Sequence, residues 1–195
     1  MEKKQLSHTY RLLRALGFNY PVEDYGDVSI VKVIRQTFTN MHHRYLCKKM
    51  NSTLLEPFNP RRIRPWILRK LGASVGKDVF IGEYVRPDLN HCDLITIEDG
   101  VHIAADVRLL CHKKDLSIYR VDDIYGQQPY KYGAIRLCKN CAIGTGTLVM
   151  PGVTVGEGAV VGAGSLVTKD IPAWTIAIGR PAKVVKEIPR RSPNV

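Results

Sequence analysis

Residues 137–172 read LCKNCAIGTGTLVMPGVTVGEGAVVGAGSLVTKDIP. Within this stretch an aliphatic residue returns every six positions: Leu137, Ile143, Val149, Val155, Val161 and Val167. A helix at 3.6 residues per turn would scatter these residues around its circumference, so an amphipathic helix is excluded. The fourth residue of the hexad marks a corner. It is Asp78, Gly100, Asp106, Asn140, Gly146, Gly152, Gly158, Gly164 or Asp170 in nine of eleven hexads along the chain. These residue types best tolerate positive φ, as expected of a turn closing a short strand. The fifth residue is small or β-branched, as in Val79, Val101, Cys141, Thr147, Val153, Ala159, Ser165 and Ile171. The pattern predicts an all-β solenoid, a triangular β-helix with three short strands per 18-residue coil.

Outward from this run the phase persists but breaks twice. Ile97, Ile103 and Leu109 form one shorter run, and Val75 and Ile81 another. Between the first two runs the chain carries four residues beyond one coil, and between the second and third it carries 22. Both insertions fall after the third face of successive coils, on one edge of the prism. Neighbouring coils stack at about 4.8 Å. Asp88 and His112 therefore lie on adjacent rungs of one edge and are expected to approach each other. Tyr84 and His112 are the two exceptions to the corner rule, and each stands beside a break. Residues 113–136 form a long excursion rich in Tyr and charge, a length usually reserved for function. Within it Asp122 and Asp123 read as solvated loop carboxylates rather than a catalytic pair.

Composition divides the 195 residues near Leu71. Residues 1–71 hold 14 Lys+Arg against 5 Asp+Glu and only 2 of the 16 glycines; residues 72–195 hold 15 against 13 and the other 14 glycines. The net charge of +11 thus belongs mainly to the first part. The expected organisation is a basic, mainly helical region at 1–71, a β-helix at 72–188 and a tail at 189–195. Helices are expected over Leu6–Leu16, 28–50 and Pro65–Leu71. The second shows an apolar stripe of Ile30, Ile34, Phe38, Met41 and Tyr45. Such stripes with cationic backs fit a cap over the open end of the β-helix, the favoured reading. They also fit peripheral contact of residues 1–71 with an anionic membrane. No aromatic-and-basic groove for bases appears, so nucleic acid is not an expected partner. Arg11 and Arg14 interrupt any signal-peptide core, and no apolar run is long enough to span a bilayer. Five cysteines, an odd number, suit reduced thiols and a cytoplasmic location.

The segment from Val79–Ile81 to Ile188, with IGTGTLVMPGVTVGEGAVVGAGSLVTKDIP and IGRPAKVVKEI, resembles the hexapeptide-repeat O-acetyltransferases. These include the galactoside and maltose acetyltransferases and relatives from polysaccharide gene clusters. The resemblance implies a left-handed β-helix with an α-helical N-terminal cap, acetyl-CoA as donor, and a homotrimer with active sites between subunits. It implies that His112, in LLCHKKD, is a general base, and that Asp88, in RPDLN, orients it or holds the acceptor hydroxyl. Galactoside-type relatives place Asn near that point. It further implies acetyl-CoA contacts along the pantetheine groove at Thr145, Ala163, Thr168 and Lys169. Arg180 and Lys183, in GRPAK, would face the nucleotide phosphates, which demand positive charge. The expected acceptor is a sugar or lipid-linked saccharide in polysaccharide synthesis. Serine O-acetylation, amino-sugar N-acetylation and a non-catalytic β-helix scaffold stand as alternatives.

No metal is expected. Cys138-x-x-Cys141 has the spacing of a zinc half-site, but the hexad register explains both cysteines, and no second ligand pair accompanies them. His91, His102 and His112 lack the close His pair of the β-helical carbonic anhydrases. His102 is expected to be merely exposed, and His42–His43 lies outside the repeat.

Overall fold

The computed structural model describes residues 6–18, 20, 22–51 and 59–191. Parts of the expected helical region (1–5 and 52–58) and most of the tail (192–195) therefore lie outside the described residues. The chain divides into two compact units, Met1–His42 with Lys113–Lys131, and His43–His112 with Tyr132–Val195.

The second unit is built on three parallel sheets that the chain visits in rotation. The first sheet contains β1 (Ser74–Val75), β4 (Ile95–Ile97), β9 (Ile135–Leu137) and β12 (Thr154–Val155). The second contains β2 (Phe80–Ile81), β5 (His102–Ile103), β10 (Ala142–Ile143), β13 (Val160–Val161), β15 (Thr175–Gly179) and β16 (Ala182–Glu187). The third contains β3 (Arg86–Pro87), β6 (Arg108–Leu109), β11 (Leu148–Val149) and β14 (Leu166–Val167). Aside from the final antiparallel hairpin of β15 and β16, every pairing in these sheets is parallel, each strand lying beside its counterpart one circuit away.

The hexad explains this path. Ile81, Ile97, Ile103, Leu109, Leu137, Ile143, Val149, Val155, Val161 and Val167 are all buried in one apolar core. The fifth-position residues are buried beside them. Asp78, Tyr84, Gly100, Asp106, Asn140, Gly146, Gly152, Gly158 and Gly164 all take positive φ. Tyr84 therefore keeps the corner geometry that its residue type disfavours, and its backbone N–H is met by Asn51 Oδ1 at 2.8 Å. One expectation needs correction. Asp170 is absent from the positive-φ residues; its Oδ1 instead accepts the Thr154 N–H, and Trp174 makes the left-handed turn. His112, the other exception to the corner rule, opens β7 (His112–Lys114), which pairs with β8 (Tyr130–Tyr132).

Register confirms the two insertions. Val75 pairs with Ile97, and Ile97 with Leu137, so 88–94 and 110–134 leave the sheets and return without disturbing the pairing. Helices form α1 (His8–Ala15), α2 (Val22–Tyr25), α3 (Ile30–Met50) and α4 (Arg64–Lys70), the last preceded by a π-turn at Asn59–Ile63. Leu46, Met50, Ile67, Leu68 and Leu71 join the core of the strands. Arg64, fully buried, donates from Nε to Met50 O at 2.9 Å and from Nη1 to Ile81 O at 3.0 Å. The end of α3, the start of α4 and strand β2 are thereby joined through one side chain. In the first unit, Ser7 caps α1 by accepting from the Tyr10 N–H, and the buried Tyr10 hydroxyl donates to Tyr20 O.

The apolar stripe of α3 does not face inward. Ile30, Ile34, Phe38, Met41 and Tyr45 are exposed, whereas Leu46 and Met50 are the residues the helix buries. The period located the helix, but the covered face is the opposite one.

Candidate active site

Both insertions leave from the ends of third-sheet strands. Asp88 follows Pro87 on β3, and His112 stands three residues beyond Leu109 on β6. Those strands pair directly, Pro87 against Leu109. The resulting contact is a hydrogen bond between Asp88 Oδ2 and His112 Nδ1. Asp88 Oδ2 also accepts the Cys111 N–H at 3.1 Å. The carboxylate is almost wholly buried (3% exposed), while the imidazole is 35% exposed. An ionised carboxylate can only accept, so this contact favours the His112 tautomer that carries its proton on Nδ1 and keeps Nε2 as the basic nitrogen. Such an arrangement can serve as a positioned general base.

His91 completes the cluster, and nothing in the hexad phase had singled it out as a site residue. It lies in the first insertion, where its N–H donates to Asp88 O at 3.0 Å. Its ring meets His112 edge-on at 5.5 Å and Tyr132 at 4.7 Å. The available signal was Asp88-x-x-His91, two polar residues sharing one insertion. Donor atoms of Asp88, His91 and His112 all lie within 4.8 Å of one another. Two imidazoles and a carboxylate can hold a divalent metal. In this arrangement Asp88 Oδ2 and His112 Nδ1 are hydrogen-bonded to each other.

The other expected residues fall in two places. Thr145 and Ala163 are exposed at the corners leading into β11 and β14, one circuit apart, with Thr145 O accepting the Gly164 N–H at 2.7 Å. A Cβ on Gly144 would come within 2.4 Å of Ala163 N, so the backbones close on each other there. Thr168 and Lys169 are exposed beyond β14, at the same kind of corner as Asp88 and His112. The two sets border opposite edges of the third sheet. Arg180 and Lys183 are exposed on the hairpin of β15 and β16, Arg180 in its turn and Lys183 paired with Ile178.

Of the discounted features, Cys138 is half-buried and Cys141 buried, and both are free thiols. Burial pushes the Cys141 thiol up to about 12, which suits a packing residue rather than a nucleophile. Asp122 and Asp123 are exposed in the loop, Asp123 accepting the Arg120 N–H. His102 is exposed yet engaged, its ring stacked on Phe80 at 4.2 Å.

Residues 134–169 match the family model described as bacterial transferase hexapeptide, six repeats. The galactoside O-acetyltransferase of Escherichia coli is 32% identical over 155 residues, covering 76% of this chain and 73% of that protein. The chain belongs to the hexapeptide-repeat acetyltransferases. Among solved structures of this family, a maltose O-acetyltransferase from Clostridium difficile superposes with a TM-score of 0.64 at 26% identity, covering 88% of this chain and 92% of the other. A hexapeptide-repeat acetyltransferase of Vibrio cholerae, solved with acetyl-CoA, shares the fold with a TM-score of 0.60 at 19% identity, covering 79% and 89%. The first curated relatives matched are acetyltransferases by name from Staphylococcus aureus and Schizosaccharomyces pombe. This family member spans only 32% and 44% of their lengths.

Proposed function

We propose that the chain is an acetyl-CoA-dependent O-acetyltransferase that esterifies a sugar hydroxyl, in the cytoplasm and in service of polysaccharide synthesis. The observation that carries the reading is the Asp88–His112 hydrogen bond across adjacent rungs. In this reading the three sheets wind as a left-handed β-helix, and three copies assemble so that each site lies between subunits.

His112 Nε2 removes the proton from the acceptor hydroxyl as that oxygen attacks the thioester carbonyl. The tetrahedral intermediate collapses with cleavage of the carbon–sulfur bond, and the departing thiolate recovers the proton from the imidazolium. The products are the acetyl ester and CoA. Asp88 fixes the ring and stabilises the imidazolium that forms. The walls supplied by His91 and Tyr132 limit how the acceptor can approach. Thr145 and Ala163, with Thr168 and Lys169, border the pantetheine arm, and Arg180 and Lys183 meet the phosphates. No step requires a metal.

The test is acetyl transfer from labelled acetyl-CoA to free sugars, sugar nucleotides, amino sugars, serine and lipid-linked oligosaccharide. Transfer to a sugar hydroxyl is expected, and it should survive dialysis against a chelator. His112→Ala should lower kcat/KM by about 10²–10⁴-fold with the fold intact. Near-normal turnover in that variant would remove the general base, and transfer to serine or an amine alone would replace the acceptor class.

A further inference from the structure

Helix α3 carries a surface that the proposed reaction does not use. Over its 21 residues it holds Lys32, Arg35, Arg44, Lys48 and Lys49 and no acidic residue. Five of its large apolar side chains are on the outside: Phe38 is 67% exposed and Met41 61%, in line with Ile30, Ile34 and Tyr45. The spacings of four, four, three and four confine these five residues to an arc of about 80° at 3.6 residues per turn. Leu46 and Met50, which the helix buries, project from the other side. On the same geometry Arg44 and Lys48 border one margin of the apolar arc, and Arg35 and Lys49 the other. Lys49 lies over the Tyr45 ring at 4.9 Å.

We propose that the outer face of α3 docks on an anionic lipid surface. The apolar line would enter the boundary between headgroups and acyl chains, while the marginal cations meet lipid phosphates. A large apolar arc rimmed by cations, on a helix too polar to span, is the pattern of an interfacial helix. No helix among the described residues is long and apolar enough to cross a membrane. Charge decides between this occupant and a second copy of the chain. Two copies packed through this face would set Arg35, Arg44, Lys48 and Lys49 against each other with no carboxylate on the helix to meet them. The chain as a whole is at +11. An anionic bilayer supplies both the apolar medium and the missing counter-charge.

The experiment is flotation of the full chain with neutral phosphatidylcholine vesicles and with vesicles containing phosphatidylglycerol, at low and high salt. Binding is expected only to the anionic vesicles, weakened at high salt by screening. The double variant Phe38→Ser/Met41→Ser should bind at least tenfold more weakly, with an unchanged circular dichroism spectrum and unchanged elution on size exclusion. Lys48→Glu/Lys49→Glu should lose binding while leaving the apolar line in place. The proposal is overturned if the wild-type chain ignores anionic vesicles at low salt, or if the serine variant binds as well as wild type. It is equally overturned if the serine substitutions dissolve an oligomer, since the face would then belong to a second copy.

Discussion

Asp88 is oriented twice, once by the Cys111 amide and once by the His112 ring, so rotation of its carboxyl group would break two hydrogen bonds together. That pairing was legible from spacing alone, because a strict six-residue phase makes any surplus visible and locates it on an edge. His91 was not legible in the same way, since inserted residues have no phase and their approach depends on how the turn folds back. His102 shows a third case, where residue type and exposure say little and the neighbour decides. Partial desolvation chiefly, and then the charge of Arg61, hold its imidazole below the usual range. Its ring lies on Phe80, its partner across the β2–β5 pair. The unfolded chain therefore takes up this proton at a higher pH than the folded one. This contribution to stability is complete above the unfolded value, about 6.5, and declines as pH falls below it. Melting temperature should drop on acidification from about pH 7.5 to about pH 5.5. His102→Gln should show a shallower drop, and equal slopes for the two proteins would remove His102 as a source of the pH dependence.

At the level of elements, the hexad was readable because each position has one steric duty. The aliphatic fills the interior, the fourth residue turns the corner and the fifth packs beneath it. Gly158 combines two of the reasons for glycine. Its φ is +63°, and a Cβ there would fall 2.5 Å from the Trp174 ring. Gly158→Ala should cost about 1–3 kcal/mol, from the left-handed strain and the displaced indole together. Urea unfolding would measure it, and an unchanged midpoint would show that the ring moves aside freely. Helix α3 marks where element-level reading ends. Periodicity shows that a helix has an apolar side, but which side is covered depends on what packs against it. Here the few residues that reach the core, Leu46 and Met50, prevail over the longer stripe.

For the molecule as a whole, the composition boundary near Leu71 separated charge from glycine, and the +11 charge resolved into a cationic helical region and a nearly neutral set of sheets. The three-sheet rotation followed from the repeat. The antiparallel return of β16 did not, because IGRPAKVVKEI keeps no hexad phase. That hairpin carries Arg180 and Lys183, and the proposed donor site makes a global prediction through it. Saturating CoA should raise the melting temperature, by the equivalent of about 2.7 kcal/mol at a hundredfold excess over Kd. Lys183→Glu should weaken CoA about tenfold without altering the melting point of the unliganded protein. Equal CoA shifts in the two proteins would place the phosphates elsewhere.

The corner after the third sheet behaves as a splice point. Ile97 and Leu137 meet in the same register as Leu137 and Val155, although 40 residues separate the first pair and 18 the second. Closing a longer detour costs only a slowly growing, logarithmic entropy, and the flanking rungs do not record its length. Segments of different size and chemistry can therefore be exchanged at this corner in descendants of the same core. The reading frame of the sheets, and with it the placement of the histidine at the mouth of the detour, would carry over unchanged.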